Sequence, residues 1–318
     1  MNAAPAGSVA VIDIGSNSIK ILVAARDASG TLRAQHYRTI DARISAGISR
    51  TEPRLSEEGM ARGLAAITSL LADATAHAAS RLILVATSAV RDARNGADFI
   101  ARVHAATGHT IRLLSGDEEA NLIGRGLTCD PALADLRDFY VFDLGGGSLE
   151  CLAFRDRRIT QAVSLPLGCV RLTEKFIADP TALFAVAQTD AIAKHVSELI
   201  KHAGFSFSLP ATAPAIGTGG TVTSVRTIQA ARTGRPLAET PTRLSVATLR
   251  SLLNELGSLP LAERQHIAGL PAARADVFPT ALATVITLAE LGRFDAFENS
   301  LYNLRWGLVA EALDPASA

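Results

Sequence analysis

The 318-residue sequence predicts an α/β protein of two duplicated domains, each opening with a three-stranded antiparallel meander and continuing with alternating helices and strands. The first observation behind this prediction is a repeated motif, in which an apolar run ends in an aspartate, a glycine- or serine-rich turn follows, and a second apolar run begins. It occurs at 13–18 and again at 143–148, an offset of 130 residues. The second observation is length, since a chain of this size usually makes two domains.

The first half opens with three strands, predicted at Val9–Asp13, Ser18–Ala25 and Thr31–Ile40. Residues 41–54 are predicted to form a loop, in which Arg43 and Arg50 are expected to be solvated. The remaining elements of this half are a helix from Ser56, a strand at Leu82–Ala86, a helix at about Ala97–Thr107, a strand at Thr110–Leu114 and a helix capped by Ser115.

The second half repeats the meander, with strands predicted at Phe139–Asp143, Leu149–Phe154 and Ile159–Leu165. Pro279 is expected either to kink a later helix or to lie in its first turn. The later elements are a helix after Arg171, a helix at Ala182–His202, a strand at Ala213–Gly217, helices at Val222–Ala231, Ser245–Leu256, Leu261–Ala268 and Arg274–Leu291, a strand at Phe294–Phe297 and a helix at Tyr302–Leu313.

Composition restricts the class of partner. A formal net charge of zero argues against a surface that coats nucleic acid, so attraction of a polyanion would need a local basic cluster. No apolar run approaches the roughly 20 residues that span a bilayer, and residues 1–7 lack the features of a signal peptide.

Three cysteines without a CxxC pair fit a reducing cytoplasm: Cys129, Cys151 and Cys169. A homodimer is compatible with the sequence, which has no feature that fixes the oligomeric state.

The glycine-rich turns predict phosphate binding. A glycine turn between two strands presents backbone N–H groups that suit phosphate oxygens, and an aspartate at the strand end beside it suits a hard cation. A third turn, Gly217–Thr221, is followed by a predicted helix, whose N-terminus adds anion affinity. Three such turns after three strand ends are stronger evidence than any one of them.

Other nucleotide-binding and catalytic motifs are either absent from the sequence or lack the structural context that they require. A dinucleotide fingerprint needs a helix directly after the glycines, whereas 149–154 is predicted to be a strand. The sequence contains no GxxxxGK[ST] loop, no HExxH zinc motif and no GxSxG nucleophile elbow.

Ser115-Gly116-Asp117-Glu118 is a capping box, which gives Glu118 a structural role. Glu119 has no such role and projects from a different side of the helix. It is therefore either a solvated glutamate or a candidate catalytic residue.

These features together carry a resemblance. Two halves with a meander and an aspartate-glycine turn, plus a later Gly-Thr-Gly-Gly-Thr, look like the superfamily of actin, hexokinase and sugar kinases. More narrowly, the chain from about Val9 to about Leu313 resembles the exopolyphosphatase / guanosine pentaphosphate phosphohydrolase family. Five blocks in the family's order carry this resemblance: Asp13-Ile14-Gly15-Ser16-Asn17-Ser18, Thr87-Ser88-Ala89-Val90-Arg91-Asp92-Ala93, Ser115-Gly116-Asp117-Glu118-Glu119-Ala120, Asp143-Leu144-Gly145-Gly146-Gly147-Ser148 and Gly217-Thr218-Gly219-Gly220-Thr221.

The resemblance implies two actin-like (ribonuclease H-like) domains with an interdomain cleft, predicted here as 1–124 with 300–318, and 125–299. It implies a Mg²⁺-dependent hydrolase that removes terminal phosphate from inorganic polyphosphate or guanosine pentaphosphate, with Glu119 as the base that activates water. The implied metal-site or water-orienting residues are Asp143, Glu150 and Asp13. The expected phosphate-binding residues are Asn17, Ser18, Ser88, Arg91, Gly145, Gly146, Gly147, Ser148, Gly219, Gly220 and Thr221.

The sequence departs from the family pattern at two places. Leu149 replaces a usual threonine, and Pro279-Thr280-Ala281 replaces an apolar-glycine stretch. The chain also lacks the C-terminal helical domains of longer members, which leads us to expect a preference for short polyphosphates. Two other function classes stay open: a kinase of the same superfamily and a non-catalytic sensor of guanosine tetra- or pentaphosphate.

Overall fold

The computed structural model describes residues 7–48 and 52–314. The chain divides into two compact units, Met1–Asp135 with Tyr302–Ala318, and Leu136–Leu301. The division predicted after residue 124 falls inside a helix, and the unit boundary lies after that helix has ended. Part of the predicted loop, including Arg50, lies outside the described residues.

The first unit contains a five-stranded mixed sheet. Its elements in chain order are β1 (Val9–Ile14), β2 (Ile19–Arg26), β3 (Leu32–Ile40), α1 (Glu57–Ala76), β4 (Arg81–Ala86), α2 (Ser88–Arg91), α3 (Gly96–Thr107), β5 (Ile111–Leu113) and α4 (Gly116–Thr128).

The second unit contains a six-stranded mixed sheet. Its elements are β6 (Phe139–Leu144), β7 (Leu149–Arg155), β8 (Arg158–Leu165), α5 (Cys169–Phe176), α6 (Val186–His202), β9 (Ala215–Thr218), α7 (Gly219–Thr233), β10 (Arg243–Ser245), α8 (Val246–Gly257), α9 (Leu261–Arg264), α10 (Phe278–Gly292) and β11 (Ala296–Asn299). The chain then returns to the first unit, where α11 (Leu304–Leu313) packs against α4.

The two sheets share one topology. In the first unit the order is β3-β2-β1-β4-β5, with an antiparallel meander on one side of β1 and parallel pairing to β4 on the other. In the second unit β8, β7, β6 and β9 repeat this arrangement in the same order, and β11 and β10 complete the sheet. The duplicated mixed sheet that the sequence predicts is therefore present.

The duplication extends to single residues. β1 and β6 are each six residues long and are separated by the same offset of 130 as the turns that follow them. Both turns close with the same backbone bond, from Gly15 N to Ser18 O at 3.2 Å and from Gly145 N to Ser148 O at 3.0 Å.

Alternation along the strands decides which way the acids project. On β6, Tyr140, Phe142 and Leu144 belong to the main hydrophobic core of the second unit. Because successive strand side chains point to opposite faces, Asp143 projects from the other face of the sheet. Its cross-strand neighbour Glu150 lies directly opposite it on β7.

Some elements differ from the predictions. α6 begins at Val186 rather than at Ala182, because the preceding segment is tied to α8 through a bond from Phe184 N to Gly257 O. Pro279 lies in the first turn of α10, where its missing N–H costs no helical bond. The short α2 and β10 were not predicted, since three or four residues carry no readable periodicity. Among the described residues no helix is both long and apolar enough to cross a bilayer.

Candidate active site

The beginning of α5 holds the turn between β6 and β7 from one side. Cys169 N donates to Gly145 O at 3.0 Å, and Val170 N donates to Gly146 O at 2.9 Å. In a trans peptide the C=O and N–H point in opposite directions. The N–H groups that follow these two carbonyls therefore face away from α5, and a row of such groups forms an anion-binding nest.

Asp143, the next-to-last residue of β6, lies beside the third glycine turn. It lies opposite Thr218 in the parallel pair of β6 and β9. The next residue, Gly219, has a φ of +82°, and a Cβ on it would overlap Asp143 Oδ1. Glycine is therefore required at 219, both for the left-handed backbone and to leave room for the carboxylate.

Glu150 is 2% exposed and accepts a hydrogen bond from Ser164 Oγ at 2.8 Å. Its position opposite Asp143 brings two carboxylates to the same face of the sheet. Burial raises the pKa of the neighbouring Cys151 and Cys169 thiols, which disfavours their thiolate forms.

The predicted helix after the third glycine turn is present, but α7 begins at Gly219, inside the turn, rather than at Val222. One further cation lies beside its N-terminus. Arg274 Nη2 donates to Thr221 Oγ1 at 3.3 Å, and a Cβ on Gly220 would lie 2.5 Å from Arg274 Nη1. A guanidinium at a helix N-terminus reinforces the attraction for anions. Arg274 was not among the predicted site residues; it was named only as the start of the predicted helix Arg274–Leu291.

In the first unit, the turn after β1 contains three buried polar residues, Ser16, Asn17 and Ser18. Asn17 is 4% exposed, and within the described part of the chain neither Nδ2 nor Oδ1 has a hydrogen-bond partner. A buried amide without a partner is costly, which makes Asn17 a candidate contact for a ligand.

α2 connects this turn to the predicted base. Ser16 Oγ lies 3.3 Å from Ser88 Oγ, in the first turn of α2. Arg91, at the end of α2, donates from Nη1 to Glu119 Oε2 at 3.0 Å and to Leu114 O at 2.9 Å.

Glu119 is buried, with 8% of its side chain exposed, so it is not the solvated glutamate of the alternative interpretation. The capping box beside it is present as predicted: Ser115 Oγ accepts from Glu118 N at 3.2 Å, and Glu118 Oε2 accepts from Ser115 N at 2.8 Å. Hydrogen bonds from the backbone and hydroxyl of Ser115 hold the pKa of Glu118 below its usual value. The two neighbouring glutamates thus have separate environments.

The predicted site residues fall into two sets. The first unit holds Asp13, Asn17, Ser18, Ser88, Arg91 and Glu119. The second unit holds Asp143, Gly145, Gly146, Gly147, Ser148, Glu150, Gly219, Gly220 and Thr221.

The two hairpins differ in charge at one equivalent position. Lys20 lies directly opposite Asp13, whereas Glu150 lies opposite Asp143. The offset of 130 places Lys20 at the position of Glu150, so this difference is readable from the sequence. The Lys20 ammonium opposite Asp13 competes with a bound cation, so Asp13 is less suited than Asp143 to bind a metal.

A model of the Ppx/GppA phosphatase family matches residues 22–316. The chain belongs to the Ppx/GppA phosphatase family. The resemblance inferred from the five sequence blocks is confirmed.

Solved structures agree with this family assignment. An exopolyphosphatase from Cytophaga hutchinsonii is 24% identical, with a TM-score of 0.87 over 96% of this chain and 98% of that chain. An exopolyphosphatase-like protein is 26% identical, with a TM-score of 0.84 over 96% and 97% of the two chains. The Aquifex aeolicus PPX-GPPA enzyme is 23% identical, with a TM-score of 0.76 over 96% and 99%. The predicted fold of two actin-like domains is confirmed.

The family's expected divalent cation can be tested against the residues present in this Ppx/GppA chain. No group of three or more histidine, cysteine, aspartate or glutamate side chains suited to a metal occurs in residues 7–48 and 52–314. Mg²⁺ does not need one, since it is commonly bound by one or two carboxylates together with substrate phosphates. Asp143 and Glu150, directly opposite each other on β6 and β7, supply two carboxylates of the kind that such a site uses.

Proposed function

We propose that this Ppx/GppA phosphatase is an exopolyphosphatase that hydrolyses the terminal phosphoanhydride bond of inorganic polyphosphate and releases phosphate. Family membership supports phosphohydrolase chemistry. The observation that carries the proposal is Glu119, a buried carboxylate that is paired with Arg91 and has no role in capping α4.

Glu119 is suited to act as a general base. The Arg91 guanidinium favours its charged form, which is the form that accepts a proton. Its helix begins with a satisfied capping box, so the carboxylate is carried on a rigid element. The bond from Arg91 to Leu114 O fixes the cation as well.

In the proposed reaction, Glu119 takes a proton from water as the water oxygen bonds to the terminal phosphorus. The anhydride P–O bond breaks, and the chain that is one phosphate shorter leaves with the bonding electrons. Such phosphoryl transfer depends on positioning and charge neutralisation more than on covalent work by the protein.

The glycine turns are proposed to hold the phosphates. Within the turn Gly145–Ser148, the backbone N–H groups of Gly146, Gly147 and Ser148 are the proposed donors, since the Gly145 N–H is bonded to Ser148 O. Gly219–Thr221 adds the N-terminus of α7 with Arg274 beside it. Asn17, Ser18, Ser88 and Arg91 are proposed as side-chain donors. Asp143 and Glu150 would hold Mg²⁺, which when bound neutralises charge on the phosphate oxygens.

Polyphosphate is preferred to guanosine pentaphosphate because every donor proposed above recognises phosphate, and the sequence shows no base-recognition motif. Guanosine pentaphosphate 5′-phosphohydrolysis is the alternative within the family's chemistry. A pure sensor would have no use for a buried base paired with an arginine. The free cysteines fit the proposed cytoplasmic location.

The test compares Glu119→Gln with its neighbour Glu118→Gln on both substrates, with Mg²⁺ supplied and with Mg²⁺ chelated. We expect Glu119→Gln to lower kcat about 10²–10⁴-fold, without loss of thermal stability. Glu118→Gln alters the capping box and an exposed ion pair with Arg112, so it should lower stability by about 1 kcal/mol or less and retain turnover.

Near-normal turnover in Glu119→Gln would remove the base assignment. If the wild type releases phosphate from guanosine pentaphosphate but not from polyphosphate, the alternative substrate is the correct one. If chelation of Mg²⁺ does not affect phosphate release, the reaction does not need the metal.

A further inference from the structure

We infer that Arg171 is a positioning residue for the turn Gly145–Ser148, called the phosphate turn below. Its Nε–H holds the carbonyl of Gly147 and so directs the N–H of Ser148 toward substrate. The inference rests on the proposed assignment of this turn to phosphate binding. It assigns Arg171 a role through a hydrogen bond to the turn rather than through its charge.

The hydrogen bond from Arg171 to Gly147 O is one of three bonds that hold the carbonyls of the turn. The carbonyls of Gly145 and Gly146 accept backbone N–H groups from the first turn of α5. The third carbonyl, that of Gly147, accepts from a side chain instead, with Arg171 Nε at 3.0 Å. All three carbonyls of the turn are thereby directed to α5.

The direction of these carbonyls determines the direction of the donors. The described peptides are all trans, so each N–H points opposite to the carbonyl of the same peptide. The Gly147 carbonyl shares its peptide with the Ser148 N–H. Without the Arg171 bond this last peptide of the nest could rotate, and one of three donors would no longer be preorganised.

The first unit provides an internal comparison. By the offset of 130, Ser16 and Asn17 are equivalent to Gly146 and Gly147. Ser16 O accepts from Ser45 N at 3.3 Å and from Ser45 Oγ at 3.1 Å, while Asn17 O accepts from Arg43 N at 2.8 Å.

The same two carbonyls are therefore held in both copies, from the segment that follows the third strand of each meander. Only the donors differ. A backbone N–H, that of Arg43, holds the carbonyl of Asn17 where a side-chain Nε, that of Arg171, holds the carbonyl of Gly147. The equivalent carbonyl is therefore held by an uncharged N–H in one unit and by a charged side chain in the other. We expect the turn to require the N–H donor rather than the positive charge.

This distinction can be tested because three substitutions separate donor from charge. Gln places an N–H at the ε position and has no charge. Lys keeps the charge and has carbon at that position. Met has neither. The variants are Arg171→Gln, Arg171→Lys and Arg171→Met, with Arg155→Met, at an exposed arginine that ends β7, as the matched control.

We expect Arg171→Gln to stay within about threefold of the wild-type kcat, and Arg171→Lys and Arg171→Met to lose roughly 10–100-fold, the cost of a small misplacement in an active site. Melting temperatures should stay similar across the set. The amides of residues 169–171 donate to the other two carbonyls of the same turn, those of Gly145 and Gly146, so they report on its rigidity. Their hydrogen exchange should be faster in the Lys and Met variants than in the wild type and the Gln variant.

Retained activity in Arg171→Lys with loss in Arg171→Gln would overturn the inference and indicate a direct charge contact to phosphate. Equal activity in all variants, or activity losses that follow the melting temperatures, would overturn it as well. The exchange measurement does not depend on substrate. If the wild type hydrolyses neither substrate, the proposed function fails, while unchanged exchange in Arg171→Met would separately disprove the positioning role.

Discussion

At the scale of single residues, Asn17 leads to a prediction in which stability and the proposed substrate binding change in opposite directions. Its amide is buried, and neither Nδ2 nor Oδ1 has a hydrogen-bond partner in the described part of the chain. Leaving such a group unpaired costs about 1–3 kcal/mol. Asn17→Leu, which keeps a similar shape, should therefore leave the free energy of unfolding unchanged or raise it by about 1 kcal/mol, while the KM for substrate rises about tenfold. Chemical denaturation and steady-state kinetics measure the two effects.

Asn95 provides the matched control, because it is also buried but its amide is satisfied. Its Oδ1 accepts from Leu55 N at 2.8 Å, and its Nδ2 donates to Leu55 O at 2.9 Å. Asn95→Leu should destabilise the protein by about 1–3 kcal/mol. A comparable loss of stability in Asn17→Leu would show that the Asn17 amide is paired in the free protein.

The sequence predicted single residues where a local rule applied. The capping box at Ser115 accounted for Glu118 and left Glu119 as the candidate base, and the structure shows the box. The burial of Glu119 and its pairing with Arg91 were not predictable, since 28 residues separate the two and no periodic pattern connects them. Arg274 was missed for the same reason, as it reaches Thr221 across 53 residues of sequence.

At the scale of elements, α5 and the phosphate turn are packed backbone to backbone at Gly168. This residue precedes α5, and a Cβ on it would overlap the backbone of Gly146 and Gly147. Its φ of −63° is accessible to any residue, so only close packing requires glycine. Gly168→Ala should therefore cost about 1–3 kcal/mol of stability through overpacking and should lower kcat by displacing the turn.

Gly257→Ala is the control for this substitution. A Cβ there would meet nothing closer than 3.4 Å, and the position ends α8, so alanine should be neutral or stabilising by up to about 1 kcal/mol. Normal turnover and stability in Gly168→Ala would show that the turn tolerates movement of α5.

Long and strongly patterned elements were predicted well, and segments held by distant contacts were not. Both meanders follow from alternating apolar runs and turn residues. The start of α6 was predicted four residues early because Phe184 bonds to Gly257 in α8, a contact without a local signal. The role of α5 in holding the turn was equally invisible, since it depends on backbone atoms that every residue has.

At the scale of the whole molecule, the duplication was the most informative feature of the sequence. One offset relates β1 to β6 and each turn to the other, which is why the fold could be predicted from a short repeat. The same offset reveals where the copies have diverged, as in the exchange of Lys20 for Glu150. Pairwise comparison within one chain thus identifies functional differences that composition hides.

Charge balance leads to the last prediction. With 31 basic and 31 acidic residues, the molecule has no long-range attraction for a polyanion, so substrate must be attracted by local cations such as Arg91 and Arg274. Each phosphate neutralised on a flexible chain contributes a slope of about −0.7 to the dependence of log binding on log salt. Two arginines predict a slope of about −1.4 for log kcat/KM on polyphosphate against log KCl concentration, and Arg274→Gln should make this slope shallower by about 0.7. Arg250, an exposed arginine paired with Glu290, is the control, and Arg250→Gln should leave the slope unchanged. A wild-type slope of about −5 or steeper would instead indicate a broad basic binding surface.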